Sequence, residues 1–241
     1  MGEQPMLVPV TTTQETTFAP PTGPKTGELA GVLQVPRLLL RTPRLPSVPR
    51  GNETVVVFPG FKTNDAVSIP LRSALRALGH QPTGWGFGVN MAEVEDMLEP
   101  ATQMVEQRAS EANKPVALVG WSNGGVFARE IARDRPDLIS QVITFGTPIF
   151  GGPKFTRAVE SYSLEELERL DKMINERNRA PIDRPITAIY SKADLIVDWR
   201  ACIDTISPNV ENIEVFSTHA GMVIDPDVWS VVARRLSDGV G

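Results

Sequence analysis

Four aliphatic residues, Val116-Ala117-Leu118-Val119, run straight into Gly120-Trp121-Ser122-Asn123-Gly124, and apolar residues at helical spacing follow through Val126–Arg133. A hydrophobic run of strand length, a glycine-flanked turn and a helix make one strand-to-helix unit of a parallel sheet. In that setting the pattern G-x-S-x-G puts a serine on a strained turn at the strand's end. The glycines stand where helix and neighbouring strand approach too closely for side chains. Ser122 is therefore the candidate nucleophile. The competing reading is a glycine-rich turn that ends in a helix N-cap serine.

The same rhythm recurs along the chain. Strands are predicted at Thr54–Phe58, Val116–Val119, Val142–Phe145, Ile186–Tyr190 and Ile213–Phe216, and helices at Ala66–Leu78, Ala92–Ala112, Val126–Arg133 and Asp227–Leu236. Short β-branched runs alternating with helical stretches predict an α/β class, a doubly wound, mostly parallel sheet with helices on both faces. No internal repeat of about 20–50 residues interrupts it.

Two segments depart from the rhythm. Nine of the 21 prolines fall in residues 1–50. Residues 1 to about 27 read as a mobile Pro-rich arm, and Leu29–Arg50 as an extended segment, because Pro36, Pro43, Pro46 and Pro49 forbid a regular helix. The folded domain is then 51–241. Within it, Gly151-Gly152-Pro153 opens an insertion of about 151–183. There Ser163 and Glu166 form a capping-box signature before Leu164, Leu167, Leu170, Met173 and Ile174, which share one helical face. That face fits a lid over a hydrophobic pocket, or an ordinary helix packed on the sheet.

Composition removes several function classes. Net charge is −5, from 24 basic and 29 acidic residues, so there is no basic excess to neutralise a nucleic-acid backbone. Cys202 is the single cysteine, and with only His80 and His219 beside it no metal site is expected. No run approaches the roughly 18–20 apolar residues that span a bilayer, and the opening Met-Gly-Glu-Gln-Pro lacks a secretory n-region and h-region. Met6 stands where N-myristoylation after Gly2 wants Ser or Thr. The expectation is a soluble, unexported, cytoplasmic protein; oligomeric state leaves no mark in the sequence.

A serine hydroxyl needs a base near neutral pKa, normally a histidine held in the right tautomer by a carboxylate. His80 ends a predicted helix upstream of Ser122 and reads as a cap on that helix's C-terminus. His219 follows the last predicted strand and completes the chain order Ser, Asp, His. Asp194 leaves the C-terminal end of the strand Ile186–Tyr190, where open α/β sheets place ligand sites, and is the candidate acid. Asp198 and Asp204 follow it closely as surface charges or helix caps, and Asp198 is the alternative acid. For the oxyanion hole the first strand runs into Pro59-Gly60-Phe61, and the backbone N–H groups of Phe61 and Asn123 are the candidate pair. A plain Pro-Gly turn is the competing reading. Phe61, Trp121, Phe150 and Trp85 suggest an acyl or aromatic substrate pocket, with Trp121 and Phe150 as substrate contacts; each also reads as core.

Taken in order, Phe58-Pro59-Gly60-Phe61, Gly120-Trp121-Ser122-Asn123-Gly124, Phe145-Gly146-Thr147-Pro148, Tyr190-Ser191-Lys192-Ala193-Asp194 and Ser217-Thr218-His219 resemble the α/β-hydrolase superfamily. More narrowly they resemble its bacterial esterase/lipase-like serine hydrolases, over residues 51–241. The resemblance implies an α/β-hydrolase fold, Ser122 as nucleophile, Asp194 as acid, His219 as base, and a cap near 151–183. It implies no cofactor and a small-molecule or lipid ester as substrate. Two features depart from it: Leu195 follows Asp194 where relatives often carry Gly, and the Pro-rich arm is not required by the core fold. Hydrolysis of carboxylic esters through an acyl-enzyme is the leading expectation. Acyl transfer by the same triad and a non-catalytic binding protein on this fold are the alternatives.

Overall fold

A computed structural model describes residues 19–22, 50–92 and 94–238. Most of the predicted arm, 1–18 and 23–49, lies outside the described residues. The body is one sheet of six strands, β1 (Thr54–Phe58), β2 (Gln81–Gly84), β3 (Val116–Trp121), β4 (Ile139–Phe145), β5 (Ile186–Tyr190) and β6 (Val210–Glu214), in the order β2-β1-β3-β4-β5-β6. Every neighbouring pair is parallel. Among the described residues five helices accompany it: α1 (Ile69–Ala77), α2 (Val94–Ala112), α3 (Asn123–Asp134), α4 (Leu164–Arg177) and α5 (Pro226–Asp238).

The central strands are apolar throughout because both faces are covered. Period-two alternation sends Val55, Val57 and Val119 to one face, under α1 and α5, through Leu71, Leu75 and Val232. Val56, Phe58 and Leu118 go to the other, under α2 and α3, through Val105, Phe127 and Ile131. The sheet is thus doubly wound, as the alternation of elements predicts. The strand order reverses between β1 and β3, and a crevice outside the C-terminal ends at such a reversal is where open α/β sheets bind ligands.

β1 and β5 have the predicted bounds. β2 was not predicted: it is four residues long and contains Pro82, which a ladder tolerates at a sheet edge. β6 starts at Val210 instead of Ile213, and Phe216 lies beyond it, 75% exposed. His80 corrects another expectation. Gly79, at φ 96°, ends α1 in a left-handed turn, and the backbone N–H of His80 bonds the Leu75 carbonyl at 3.1 Å. The backbone, not the imidazole, therefore caps the helix. The ring is buried against Gly51, and its Nδ1 accepts the Glu53 N–H at 3.3 Å.

Between β4 and β5 the chain makes two 3-10 turns, Gly152–Phe155 and Arg157–Ser161, and then α4. The capping box is present: Ser163 Oγ accepts the Glu166 N–H at 3.2 Å, and Glu166 accepts the Ser163 N–H at 2.7 Å. No residue of α4 is buried, and Leu164 is 79% exposed. Ion pairs hold its sides, Arg169 to Glu95 on α2 (2.7 Å) and Arg177 to Asp134 on α3 (2.9 Å). The root of this segment is stitched to the loop after β5. Arg157 N–H bonds the Ile196 carbonyl (2.9 Å), Asp198 N–H bonds the Phe155 carbonyl (3.0 Å), and Thr156 bridges Val197 antiparallel.

Candidate active site

Ser122 is the single residue between β3 and α3, with φ 53° and ψ −125°, a region costly for a residue with a Cβ. The turn persists because its surroundings fix it. Ser122 N–H bonds the Phe145 carbonyl at 2.9 Å, and the Ser122 carbonyl accepts the Thr147 hydroxyl at 2.9 Å. A Cβ on Gly124 would lie 2.3 Å from the Phe58 carbonyl oxygen, and one on Gly125 would lie 2.0 Å from Thr147 Oγ1. α3 can therefore start against β1 and β4 only with glycine at both positions. Gly124 belongs to the motif and Thr147 to the Phe145–Pro148 segment of the resemblance; Gly125 was not singled out.

Asp194 and His219 come from the connections after β5 and β6 and meet below the surface, Oδ2 to Nδ1 at 2.7 Å. Asp194 Oδ1 accepts the N–H groups of Ile196 and Val197, both at 2.8 Å, so the carboxylate cannot swing. A carboxylate accepts, so the contact places the proton on Nδ1 and makes Nε2 the ring's acceptor. Ser191, fully buried, ties the two connections: its Oγ accepts the N–H groups of Ala193 and Ser217, each at 3.1 Å. The imidazole lies over Gly146, where a Cβ would stand 3.0 Å from its Cε1. Gly146 follows Phe145, whose carbonyl holds Ser122 N–H, so imidazole and serine flank one strand end.

The neighbouring carboxylates have other partners. Asp198 Oδ1 caps the short turn Trp199–Cys202 through Arg200 N–H (3.0 Å), and its Oδ2 accepts Ala19 N–H (3.4 Å). Asp204 is not a surface charge: it pairs with Arg129 of α3 at 2.7 Å, both side chains buried. Burial alone would raise the Asp204 carboxyl, but the guanidinium and the N–H groups of Ile206 and Ser207 outweigh it and hold the pKa below the ordinary value. Burial pushes the thiol of Cys202, behind Asp194 and Asp198, well up.

The loop after β1 spends its polar groups in a pattern that spares one donor. Lys62 N–H bonds the Asn90 carbonyl (2.7 Å), and Thr63 N–H bonds the Gly60 carbonyl (3.1 Å). The buried Asn90 amide donates to the Pro59 carbonyl (2.8 Å). Phe61 N–H has no acceptor among the described residues. Asn123 opens α3, so its N–H is one of the helix's unpaired first-turn donors. Both stand at the β1/β3 reversal.

The aromatic residues divide. Phe150 is half-buried at the root of the β4–β5 segment. Trp85 is core: 2% exposed, its Nε1 on the Gly88 carbonyl and its ring edge-on to Phe127. Trp121 is 8% exposed, and its indole N–H donates to the His219 backbone carbonyl at 3.2 Å, so its polar edge faces a loop instead of a pocket. Among the described residues, no three His, Cys, Asp or Glu side chains gather as a metal ion would need.

No protein-family model matches the chain. A curated relative, the pimeloyl-[acyl-carrier protein] methyl ester esterase of Aliivibrio salmonicida, is 30% identical over 169 residues. The match covers 66% of this chain and 61% of that protein, so the chain spans less than two thirds of the relative's length. Among solved structures, Aspergillus fumigatus lipase B superposes with a TM-score of 0.60 at 16% identity, over 77% of this chain and 52% of that one. Mouse α/β hydrolase domain-containing protein 10 superposes with a TM-score of 0.52 at 19% identity, over 80% and 92%. The chain has the α/β-hydrolase fold. In this chain Ser122, Asp194 and His219 follow β3, β5 and β6 in that order.

Proposed function

We propose that the protein hydrolyses carboxylic esters through an acyl-enzyme intermediate. The observation that carries the reading is the buried 2.7 Å contact of Asp194 with His219, at the same end of the sheet as Ser122 on its strained turn. Ser122 Oγ attacks the ester carbonyl carbon while His219 Nε2 takes the hydroxyl proton, and Asp194 steadies the imidazolium. The N–H groups of Phe61 and Asn123 hold the oxygen as it gains charge. Collapse breaks the acyl–oxygen bond, and the imidazolium gives its proton to the departing alkoxide. Water then repeats the sequence on the acyl-enzyme, with His219 as base, and releases the acid and Ser122.

The substrate is a small-molecule or lipid ester with an apolar acyl part, beside Phe61 and Phe150 and under α4 acting as a lid. Two facts support the lid: α4 buries none of its apolar residues, and its root is joined to the loop of the acid. Among the described residues no helix is long and apolar enough to cross a membrane. The test is a chain-length series of p-nitrophenyl and methyl esters, the latter because the curated relative is named for one. Turnover by the parent, none by Ser122→Ala, and labelling of Ser122 by a fluorophosphonate are expected. Equal hydrolysis by parent and Ser122→Ala would sink the reading.

A further inference from the structure

We propose that Trp121 is a positioning residue, holding the base loop and the oxyanion loop in register with Ser122; the proposal rests on the ester-hydrolase reading above. Trp121 immediately precedes Ser122, and its ring touches both the His219 loop and the loop after β1. Its Nε1–H donates to the backbone carbonyl of His219 at 3.2 Å, and the indole and imidazole centroids stand 5.5 Å apart at 38°. On its other side the ring lies against Gly60, so close that a Cβ there would fall 2.8 Å from Trp121 Cε3. Gly60 is bonded covalently to Phe61, the proposed oxyanion donor.

These contacts bear on chemistry because of what they fix. Further bonds tie the base loop, Ser217 N–H on Ser191, Gly221 N–H on the Thr218 hydroxyl (both 3.1 Å) and Asp194 on the His219 ring. The indole bonds the His219 carbonyl directly, so the peptide that sets the direction of the imidazole is referred to the strand that leads into Ser122. Gly60 in turn lets the oxyanion loop rest on that same ring. A displacement of about 1 Å among reacting groups costs on the order of 10²-fold in rate. A Leu or Phe could fill the apolar space at position 121, but neither has an N–H for a buried carbonyl.

The discriminating variant is Trp121→Phe, which keeps an aromatic ring and deletes the donor. With an ester that the parent turns over, kcat is expected to fall about tenfold or more while KM stays within about twofold. The second-order rate of Ser122 phosphonylation by a fluorophosphonate should fall in parallel, since it needs the same base and oxyanion donors. A purely structural indole would instead give a lower melting temperature with kcat and phosphonylation unchanged at 25 °C, and that result overturns the proposal. Should Trp121→Phe fail to fold, Gly60→Ala moves the ring from the opposite side with the indole retained. The same loss in kcat at constant KM is expected, and an unchanged kcat in a folded Gly60→Ala protein overturns the proposal. Ser122→Ala separates the two readings. Undiminished activity there removes the hydrolase reading and this proposal with it. Full Ser122 dependence with an unaffected Trp121→Phe enzyme removes this proposal alone.

Discussion

The loops around Ser122 and the helix α4 belong to one domain and are held by opposite means. Around Ser122, buried groups with fixed partners do the holding: Thr147 on the Ser122 carbonyl, Ser191 across two connections, Asn90 under the loop after β1. α4 rests on a half-buried apolar face and on exposed ion pairs such as Arg169 with Glu95. A buried polar group left unpaired costs about 1–3 kcal/mol, whereas an exposed ion pair contributes about 0–1 kcal/mol and is screened by salt. One region keeps its geometry through buried bonds, and the other rests on contacts that are individually weak.

Substitutions should expose that contrast most sharply at its rigid extreme. Ser122→Ala and His219→Ala are each expected to lower kcat by about 10⁴-fold or more, and the double variant no further, because the members act as a unit. Multiplying losses in steady-state kinetics would contradict a shared relay. Next, Arg129→Ala strands the Asp204 carboxylate in the interior and should cost about 3–5 kcal/mol in denaturant unfolding, whereas Arg129→Met with Asp204→Asn, which removes the charge and keeps an acceptor for the Ile206 and Ser207 N–H groups, should cost less. Equal losses would mean that the pair is not buried as described. Thr147→Val removes one of two donors to the Ser122 carbonyl, which keeps the Gly125 N–H at 3.0 Å, and a loss of about 0.5–1.5 kcal/mol with reduced kcat is expected. The smallest effect belongs to α4. Arg169→Ala should change unfolding free energy by no more than about 1 kcal/mol, and a change several times larger would erase the distinction between the regions.

A pH experiment adds a control remote from the catalytic end. Desolvation, with a smaller contribution from the Lys114 charge, lowers the pKa of His80 below its ordinary 6.5. Below pH 6.5 the unfolded chain takes up a proton that the folded protein resists, so stability falls from there down to the folded pKa. His80→Gln should flatten that part of the stability curve measured by urea unfolding. An unchanged slope would show that His80 is not its source.

Much of this was legible in the sequence because it is written locally. β1 and β5 are uninterrupted apolar runs, the capping box on α4 is two residues three apart, and Ser122, Asp194 and His219 each follow a strand in a fixed order. What escaped depends on distance across the fold. Whether Asp194 or Asp198 faces the imidazole is decided by how the loop after β5 folds back on its own N–H groups. Nothing near Ser191 or Thr147 in the chain states that their hydroxyls reach the base loop and the nucleophile's carbonyl. Trp121 reads as a pocket aromatic until the partner of its N–H is known, and β2 hides behind a proline that only an edge position excuses.

The stitching between the β4–β5 segment and the loop after β5 leaves Asp194 downstream of anything that tugs on residues 155–157. The peptides of Ile196 and Val197 donate their N–H groups to the Asp194 carboxylate, while the Ile196 carbonyl takes the N–H of Arg157 and Val197 pairs with Thr156. Anyone grafting a foreign segment between β4 and β5 must therefore transplant residues 194–198 along with it, or the new segment will arrive with the wrong grip on the Asp194 carboxylate.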